Sequence, residues 1–411
     1  MTSNDPQGVI ELGNVNIKFI IFQINNNDLQ ILSSSIIQSQ GIHNGVVINL
    51  NKASGAIRSC ISAAEKKADV SIQKINVIIE QPEFLCTKFS KSRKIGGAKI
   101  DKDDIEFLLK EAKKQVTLND DKQSIIHIFN HNYIVDGKTF IEEPINVYAD
   151  HLSHEMTFIT MPKNNIKNIK QAFIDCDIEV ERFISCTFAL GAKLLSDQEL
   201  QTGSILIDIG FEKTSLALFK NLALVHSITF PIGVNHITKD ISQVCSLDLK
   251  DSEILKNNID FSFQNDNKKI FDKNNYLKDI YFKNSAFRKI SKDLILDVVQ
   301  ARLDEILKMI KRQIVFTRLD LNFETNFFLT GGGSNLYNLE KYFSVFFNSK
   351  AKKINLEDQI DEKNTSNTSF CSCLGAIKII KDGWETEAIP ESVDKHGKKT
   401  SFLAKLFGNN S

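Results

Sequence analysis

Ser204-Ile-Leu-Ile-Asp208-Ile-Gly210 is a very apolar run that ends in an acidic residue and a glycine. Alternating apolar segments follow it at 214–219 and 223–230, so the run predicts a strand that enters a strand–turn–strand unit. Residues 8–24 repeat this pattern around Gly13, and a strand, a helix and a further strand are predicted after them. Because the same pattern occurs twice, the sequence predicts a duplicated α/β fold.

The composition is that of an ordinary globular protein. Of 411 residues, 42% are hydrophobic and 25% are charged, which is enough apolar material for a sizeable core. The 51 cationic and 51 anionic side chains give a formal net charge of zero, which argues against a protein held on nucleic acid by overall basicity. The amino-terminal residues lack the pattern of a signal peptide, and no run approaches ~18 apolar residues, so we expect a soluble body that is not exported.

Residues 82–162 differ in character from the two repeated units. A charged helix and then two apolar strands are predicted within them, which is typical of a small separate α/β insert. Later in the chain, residues 285–316 have apolar side chains at near-helical spacing and predict a long amphipathic helix. Residues 381–398 are polar and charged, so we expect a flexible linker there.

Three turns at predicted strand ends carry the residue types of a phosphate site. They are Glu11-Leu-Gly13-Asn14 with Lys18, Asp208-Ile-Gly210 with Thr214, and Gly331-Gly332-Gly333-Ser334. A glycine turn lets backbone N–H groups approach phosphate oxygens, and a strand-end carboxylate can position Mg²⁺ through water. Each turn alone is also typical of a hairpin or of a capped helix start. Together they favour a nucleotide site in which two duplicated hairpins clamp the ligand and the third turn supports the base.

The seven cysteines are odd in number and mostly lie among apolar neighbours, so they are interpreted as reduced thiols of a cytoplasmic protein. A metal site could draw only on Cys371 and Cys373, because no second cysteine pair or suitably spaced histidine accompanies them. The alternative, which the alternation around them favours, is that two small residues face a close-packed neighbour.

Five longer motifs give a more specific signal than the single turns. They are Ser39-Gln-Gly41-Ile-His-Asn-Gly45, Ile126-His127-Ile-Phe-Asn-His-Asn-Tyr133, Pro231-Ile-Gly233-Val-Asn-His236, Asp251-Ser-Glu253-Ile-Leu-Lys256 and Val299-Gln-Ala-Arg302. With the triple glycine, they make residues 8–380 resemble the bacterial cell-division family FtsA, whose members are relatives of actin. The resemblance implies an α/β fold of actin-like, duplicated ribonuclease-H-like domains (βββαβα) with a 1C-type inserted subdomain.

The resemblance also implies a division of the chain into subdomains. The expected segments are 1–81 and 163–203 for subdomain 1A, 82–162 for the inserted subdomain 1C, 204–247 and 317–380 for subdomain 2A, 248–316 for subdomain 2B, 381–398 for the linker, and 399–411 for an amphipathic tail.

Carried over by residue, the resemblance implies an ATP site with Mg²⁺. Its expected members are Gly13, Asn14 and Lys18 in the first phosphate turn, Asp208, Gly210 and Thr214 in the second, Glu253 and Lys256 at the ribose and adenine, and Gly331, Gly332 and Gly333 against the adenosine. Three residues depart from the family pattern: Asn14 supplies no hydroxyl, and Phe211 and Glu212 add bulk and negative charge beside the phosphates. We therefore expect weak nucleotide binding. No catalytic residue and no direct metal ligand can be named, so the sequence leaves open whether the chain is an enzyme.

The carboxyl-terminal residues have the pattern of a short amphipathic helix. Its apolar face comprises Phe402, Leu403, Leu406 and Phe407, and Lys405 is among its cations. Such a segment suits a membrane interface, and the alternative is a helix that docks on the body of the protein or on a neighbour. FtsA proteins end in a membrane-targeting helix, which favours the interface.

Partners are implied by the same resemblance. The basic residues Arg288, Lys289 and Lys292 are candidates for contact with the carboxyl-terminal peptide of the tubulin-like division protein FtsZ, although a charge run is commonly only a solvated face. Other division proteins would bind the 82–162 insert, and copies of the chain would associate with one another.

The resemblance thus implies a cell-division protein that binds ATP, self-associates in an actin-like way and tethers FtsZ filaments to the cytoplasmic face of the inner membrane at the division site. Two alternatives remain open. One is a PilM-like scaffold of a pilus or secretion machine, and the other is a small-molecule kinase on the same duplicated fold.

Overall fold

The computed structural model of the chain describes residues 5–25, 28–263, 270–278, 289–317, 326–354, 370–384 and 387. It divides into two compact units. The first unit comprises 1–203, 217–228 and 360–411, and the second comprises 204–216 and 229–359.

Strands and helices alternate along the chain. The strands are β1 Gln7–Leu12, β2 Asn16–Asn25, β3 Asp28–Gln38, β4 Ile42–His43, β5 Val46–Val47, β6 Lys74–Ile79, β7 Leu85–Lys99, β8 Gln123–Val135, β9 Lys138–Phe140, β10 Tyr148–Pro162, β11 Glu179–Ser185, β12 Ser204–Ile209, β13 Thr214–Lys220, β14 Ala223–Phe230, β15 Asn326–Thr330 and β16 Ala351–Lys353. The helices are α1 Leu50–Ala68, α2 Lys102–Asn119, α3 Lys163–Ile174, α4 Cys186–Leu194, α5 Asp197–Thr202, α6 Val234–Cys245, α7 Leu249–Asn258, α8 Lys292–Phe316, α9 Leu339–Phe347 and α10 Cys371–Asp382. Among the described residues, no helix is both long and apolar enough to cross a membrane.

Two five-stranded sheets share one topology. The first has the order β11-β6-β1-β2-β3, and the second has the order β14-β13-β12-β15-β16. In each, three consecutive strands occupy one side, and two later strands add to the other side in parallel. The buried residues of β6 and β12 form near-continuous apolar runs, as expected for strands covered on both faces. The predicted duplicated fold is therefore confirmed.

A separate antiparallel sheet with the order β7-β10-β8-β9 lies within the predicted insert 82–162. Helix α2 begins with a capping box, in which the side chains of Asp101 and Asp104 each accept the other's backbone N–H. One apolar face of α2, with Leu109, Ala112 and Val116, packs on the sheet residues Met156 and Phe158. The insert therefore has a small hydrophobic core of its own.

A buried histidine makes this insert sensitive to acid. His154 on β10 is 1% exposed, its ring stacks on Tyr133 at 4.3 Å, and neither ring nitrogen has a hydrogen-bond partner within the described part of the chain. Burial lowers the pKa of His154 to about 3. In the unfolded chain the pKa is about 6.5, so the unfolded state binds a proton that the folded state rejects, and stability falls as the pH drops from 6.5 towards 3.

We expect His154→Leu to remove this loss. Relative to wild type, the variant should gain about 2 kcal/mol between pH 7 and pH 5, because only the wild type then carries the linkage penalty. The measurement is native-state hydrogen exchange of the β8 and β10 amides in the full chain. His131, whose pKa burial lowers to about 4, is present in both proteins and cancels in the comparison. An equal pH dependence in the two proteins would contradict the assignment.

Several elements differ from the sequence predictions. The helix predicted at 183–195 is strand β11 followed by α4, and β7 was not predicted because charged residues interrupt its apolar positions. The helix predicted from residue 285 begins at Lys292, since the Ser291 hydroxyl caps it by accepting the Leu294 N–H. Residues 285–288 lie outside the described residues.

Cys371 and Cys373 do not lie on an alternating strand. They begin helix α10, and both thiols are free and buried. The close-packed neighbour is nevertheless present, because a Cβ atom on Gly375 would collide with the backbone carbonyl of Ala189 in α4.

Candidate functional site

A pocket in the second unit brings together several of the predicted nucleotide residues. Its cavity has a volume of about 200 Å³, smaller than the roughly 300–1,000 Å³ of sites that enclose a whole ligand. It is therefore sized for one part of a larger ligand. The lining residues are Phe211, Val234, Glu253, Lys256, Asn257, Gly332, Gly333 and Leu336.

Helix α7 supplies the charged wall of the pocket. Its start is fixed by Asp248, whose side chain accepts the Asp251 N–H, and Glu253 and Lys256 follow three residues apart on one face. The Lys256 ammonium lies 2.7 Å from a Glu253 carboxylate oxygen. Lys256 is only 1% exposed, so the pair is not the solvated ion pair that a charged helix commonly carries.

The ionisation of this pair follows from its surroundings. Burial lowers the pKa of the Lys256 ammonium, and the neighbouring Glu253 carboxylate partly offsets this effect. Partial burial opposes the charge of Glu253, but bonds from Lys256 and from the Thr238 hydroxyl hold its pKa below the usual value. An ionised Glu253 presents oxygen acceptors to the pocket, which is the chemistry that a ribose diol requires.

The glycine run forms one wall of the pocket, and its backbone packs tightly. Gly331 has a φ of 84°, which favours glycine, and a Cβ atom there would collide with the Asp208 carboxylate. A Cβ atom on Gly333 would lie 2.6 Å from side-chain carbons of Ile209 and Val234. A short 3₁₀ helix, Gly332–Asn335, follows the end of β15. Packing thus requires glycine at 331 and 333, whereas a Cβ atom on Gly332 would meet no atom within 4 Å.

The second predicted phosphate turn is bound to helix α6. The Val234 and Asn235 N–H groups at the start of α6 donate to the carbonyl oxygens of Gly210 and Phe211, at 3.1 and 2.8 Å. Gly233 allows this approach, since a Cβ atom there would lie 2.5–2.7 Å from backbone atoms of the turn. The positive end of α6 is therefore occupied by carbonyl oxygens of the turn.

Thr214, a predicted phosphate ligand, faces the interior. It is fully buried, and its hydroxyl donates to the Ile232 carbonyl oxygen at 2.8 Å. This hydrogen bond therefore joins the start of β13 to the residues that follow β14.

Phe211 and Glu212, which were expected to add bulk and negative charge beside the phosphates, have different neighbours in the structure. Glu212 turns towards α6, where its carboxylate accepts from the Asn235 amide at 2.7 Å and lies 3.3 Å from the Lys239 ammonium. Phe211 is 41% exposed and forms part of the pocket wall. Phe211 thus belongs to the pocket itself.

The first predicted phosphate turn lies in the first unit and is electrically balanced. Lys18 pairs with Glu11 across the β1–β2 hairpin at 2.9 Å, and the Ser372 hydroxyl of α10 also donates to Glu11. Burial disfavours the Lys18 ammonium, yet the contact with Glu11 raises its pKa above the usual value. The Asn14 amide nitrogen donates to the Asn44 side chain at 3.0 Å.

Family comparisons agree with this architecture. The model of the domain described as "SHS2 domain inserted in FTSA" matches 84–160, and the model "Cell division protein FtsA" matches 205–375, so the two together cover more than half of the chain. The chain belongs to the FtsA family. A cell division protein FtsA from Buchnera aphidicola subsp. Schizaphis graminum is 26% identical over 97% of this chain and 94% of its own length.

Solved structures show the same fold. The PilM-PilN type IV pilus biogenesis complex has a chain with a TM-score of 0.61 at 13% identity, covering 93% of this chain and 98% of its own. MreB5 of Spiroplasma citri bound to ADP gives a TM-score of 0.52 at 14% identity, covering 92% and 97%. These likenesses confirm the actin-like fold predicted for this FtsA protein.

The FtsA resemblance assigned FtsZ contact to one further region and membrane contact to another. Both lie partly or wholly beyond the described residues. Lys289 precedes α8 and is exposed, with its ammonium 5.4 Å from the centre of the Tyr276 ring, and Lys292 is the first residue of the helix. Arg288 and the tail residues Phe402, Leu403, Lys405, Leu406 and Phe407 lie outside the described part of the chain.

Sequence reasoning missed several pocket residues. Phe211 was expected only as an obstruction, and Val234, Asn257 and Leu336 were not named. A signal existed for two of them, because Val234 follows Gly233 in a quoted motif and Asn257 directly follows Lys256.

Proposed function

We propose that this FtsA-family protein binds ATP through the pocket of the second unit, self-associates, and tethers FtsZ filaments to the cytoplasmic face of the inner membrane. The observation that carries the proposal is the pocket, in which Glu253, a buried Lys256 and the glycine wall converge in a chain that matches the FtsA models. Mg²⁺ would accompany the phosphates. Asp208, near the end of β12 in the second predicted phosphate turn, is the strand-end carboxylate that would position it.

The membrane and FtsZ parts of the proposal rest on the sequence. The tail at 399–411 combines an apolar face with lysines, and a short helix of this kind binds anionic lipid surfaces weakly in one copy. Self-association supplies many tails at once, so a filament would bind where a single copy would not. Other division proteins would contact the insert.

The tether is tested by sedimenting FtsZ with vesicles of phosphatidylethanolamine and phosphatidylglycerol. We expect the full chain to bring FtsZ down with the vesicles. A chain that ends before Lys398 should leave FtsZ in the supernatant, because the apolar face is lost.

Matched variants separate the two contacts. Phe402→Ser with Phe407→Ser keeps every charge of the tail, and it should abolish vesicle binding. Lys289→Glu keeps the tail, and it should retain vesicle binding while lowering FtsZ recovery. If the full and shortened chains recruit FtsZ equally, or if neither does, the tether proposal is wrong.

A further inference from the structure

The pocket of the second unit has the groups that recognise a nucleoside. The Phe211 ring and the side-chain-free Gly332–Gly333 backbone provide faces against which a planar base can lie, and Val234 and Leu336 are apolar. Stacking of a base on an aromatic ring is a substantial and sequence-tolerant source of binding energy. Glu253 offers carboxylate oxygens to hydroxyl groups.

The second turn, by contrast, offers little to a phosphate chain. Helix starts bind anions through N–H groups that have no partner, but the Val234 and Asn235 N–H groups already donate to the carbonyls of Gly210 and Phe211. The Thr214 hydroxyl is likewise engaged by the Ile232 carbonyl. Across 208–214, Lys213 is the one lysine beside Asp208 and Glu212, and Glu212 is paired with Lys239 of α6 at 3.3 Å, so the turn carries no excess positive charge.

The first turn, considered by itself, is also poor in positive charge. Its one lysine, Lys18, lies 2.9 Å from Glu11, so the pair is neutral overall. The Asn14 amide nitrogen donates to Asn44, while the buried Asn14 amide oxygen has no hydrogen-bond partner among the described residues. An amide oxygen only accepts hydrogen bonds, so this group supplies no donor to a phosphate oxygen.

We infer that this chain recognises the nucleoside part of its ligand and gains little affinity from the phosphates. The inference rests on the nucleotide binding proposed above and adds to it a ligand class. Adenosine, AMP, ADP and ATP are then held with similar strength, and Phe211, the aromatic ring in the pocket wall, is the residue that makes the nucleoside contact strong. A chain of this kind does not distinguish ATP from ADP.

The test is a calorimetric titration of the full chain with adenosine, AMP, ADP and ATP, each with and without Mg²⁺. We expect the four dissociation constants to lie within about tenfold of one another, since each charge-assisted phosphate bond would otherwise add roughly tenfold or more. If ATP binds more than tenfold tighter than adenosine, this inference is overturned while the proposed nucleotide binding stands. If none of the four binds, the proposed nucleotide binding fails and this inference fails with it.

Variants assign the effect to named residues. Phe211→Ala should weaken adenosine and ATP by the same factor, about tenfold, because both lose the same stacking contact. Tyr337→Ala removes a ring that is also exposed, at 59%, and that does not line the pocket, so it should change neither affinity. Lys213→Ala removes the one cation of the second turn, and a loss for ATP alone would overturn the inference. Circular dichroism confirms that each variant is folded.

Discussion

Replacing Glu387 by alanine should destabilise the first unit by about 3–5 kcal/mol, because it leaves an arginine whose side chain is only 12% exposed without its carboxylate. Glu387 is completely buried, although it lies five residues after the end of α10, in a segment predicted to be a flexible linker. Arg182 Nη2 donates to both Glu387 carboxylate oxygens, at 2.7 and 2.6 Å. His127 Nδ1 donates to the same carboxylate, and its Nε2 accepts the Ser185 N–H at 2.9 Å.

Further contacts hold this segment against β8 and α4. Glu387 forms an isolated antiparallel bridge with Phe129 of β8, and Trp384 packs edge-on against Phe188 of α4 at 5.0 Å. Burial alone would raise the pKa of Glu387, but the charge of the Arg182 guanidinium and the hydrogen bonds from Arg182 and His127 lower it to about 2. The stabilisation is therefore present above about pH 4.5 and is lost as the pH falls towards 2.

Hydrogen exchange of the β8 and β11 amides in the full chain measures this effect. The control is Glu181→Ala, which removes an exposed carboxylate from the neighbouring position on β11 and should change protection by less than about 0.5 kcal/mol. A chain that ends at residue 387 should be protected like the full chain, and one that ends at residue 383 should lose protection. Equal protection in the two shortened chains would contradict the proposed anchoring role.

Replacing Gly375 by alanine should destabilise the first unit by about 2–4 kcal/mol, an effect at the upper end of overpacking costs. The new Cβ atom would collide with the Ala189 carbonyl oxygen and would lie 3.2 Å from the Lys193 Cβ atom. The obstacle is the backbone of α4, so a change of side-chain rotamer cannot relieve the collision. Helices α4 and α10 must move apart, which also opens the core at Cys371 and Cys373.

The same substitution at Gly55 provides the matched control. Gly55 lies within helix α1, and a Cβ atom there meets no atom within 4 Å. Gly55→Ala should therefore stabilise the protein by about 0.5–1 kcal/mol, because alanine is the better helix former. Thermal unfolding of the two variants should thus give shifts of opposite sign. A similar shift for both would show that helix propensity, rather than the approach of α4 and α10, determines the effect at Gly375.

The duplicated fold could be predicted because its signals are local. The apolar strand at 204–209 and its counterpart at 7–12 each end at a turn, and the alternation of the next two strands is visible in the sequence. Strands β7 and β11 escaped prediction because their exposed faces are charged, which weakens the apolar period. The helical form of 371–382 escaped as well, since a short apolar run fits either state.

The candidate site was predictable in part. Glu253 and Lys256 could be placed on one face of a helix from their spacing alone, and the structure shows them in contact. Their nucleotide role stays a prediction. The inward turn of Thr214 and the use of Phe211 as a pocket wall could not be read from the sequence, because both depend on how α6 and β14 pack against the second turn.

Local sequence patterns were enough to predict the repeated strand–turn–strand units, the insert between them and the positions of the glycine turns, since each depends on residues that are near neighbours in the chain. Only the tertiary structure shows which polar groups bond to one another and which remain available to a ligand. Arg182 and Glu387 are 205 residues apart, and Glu11 and Ser372 are 361 apart. Such pairs form only when folding removes their water and supplies one particular partner, and no local pattern records that choice.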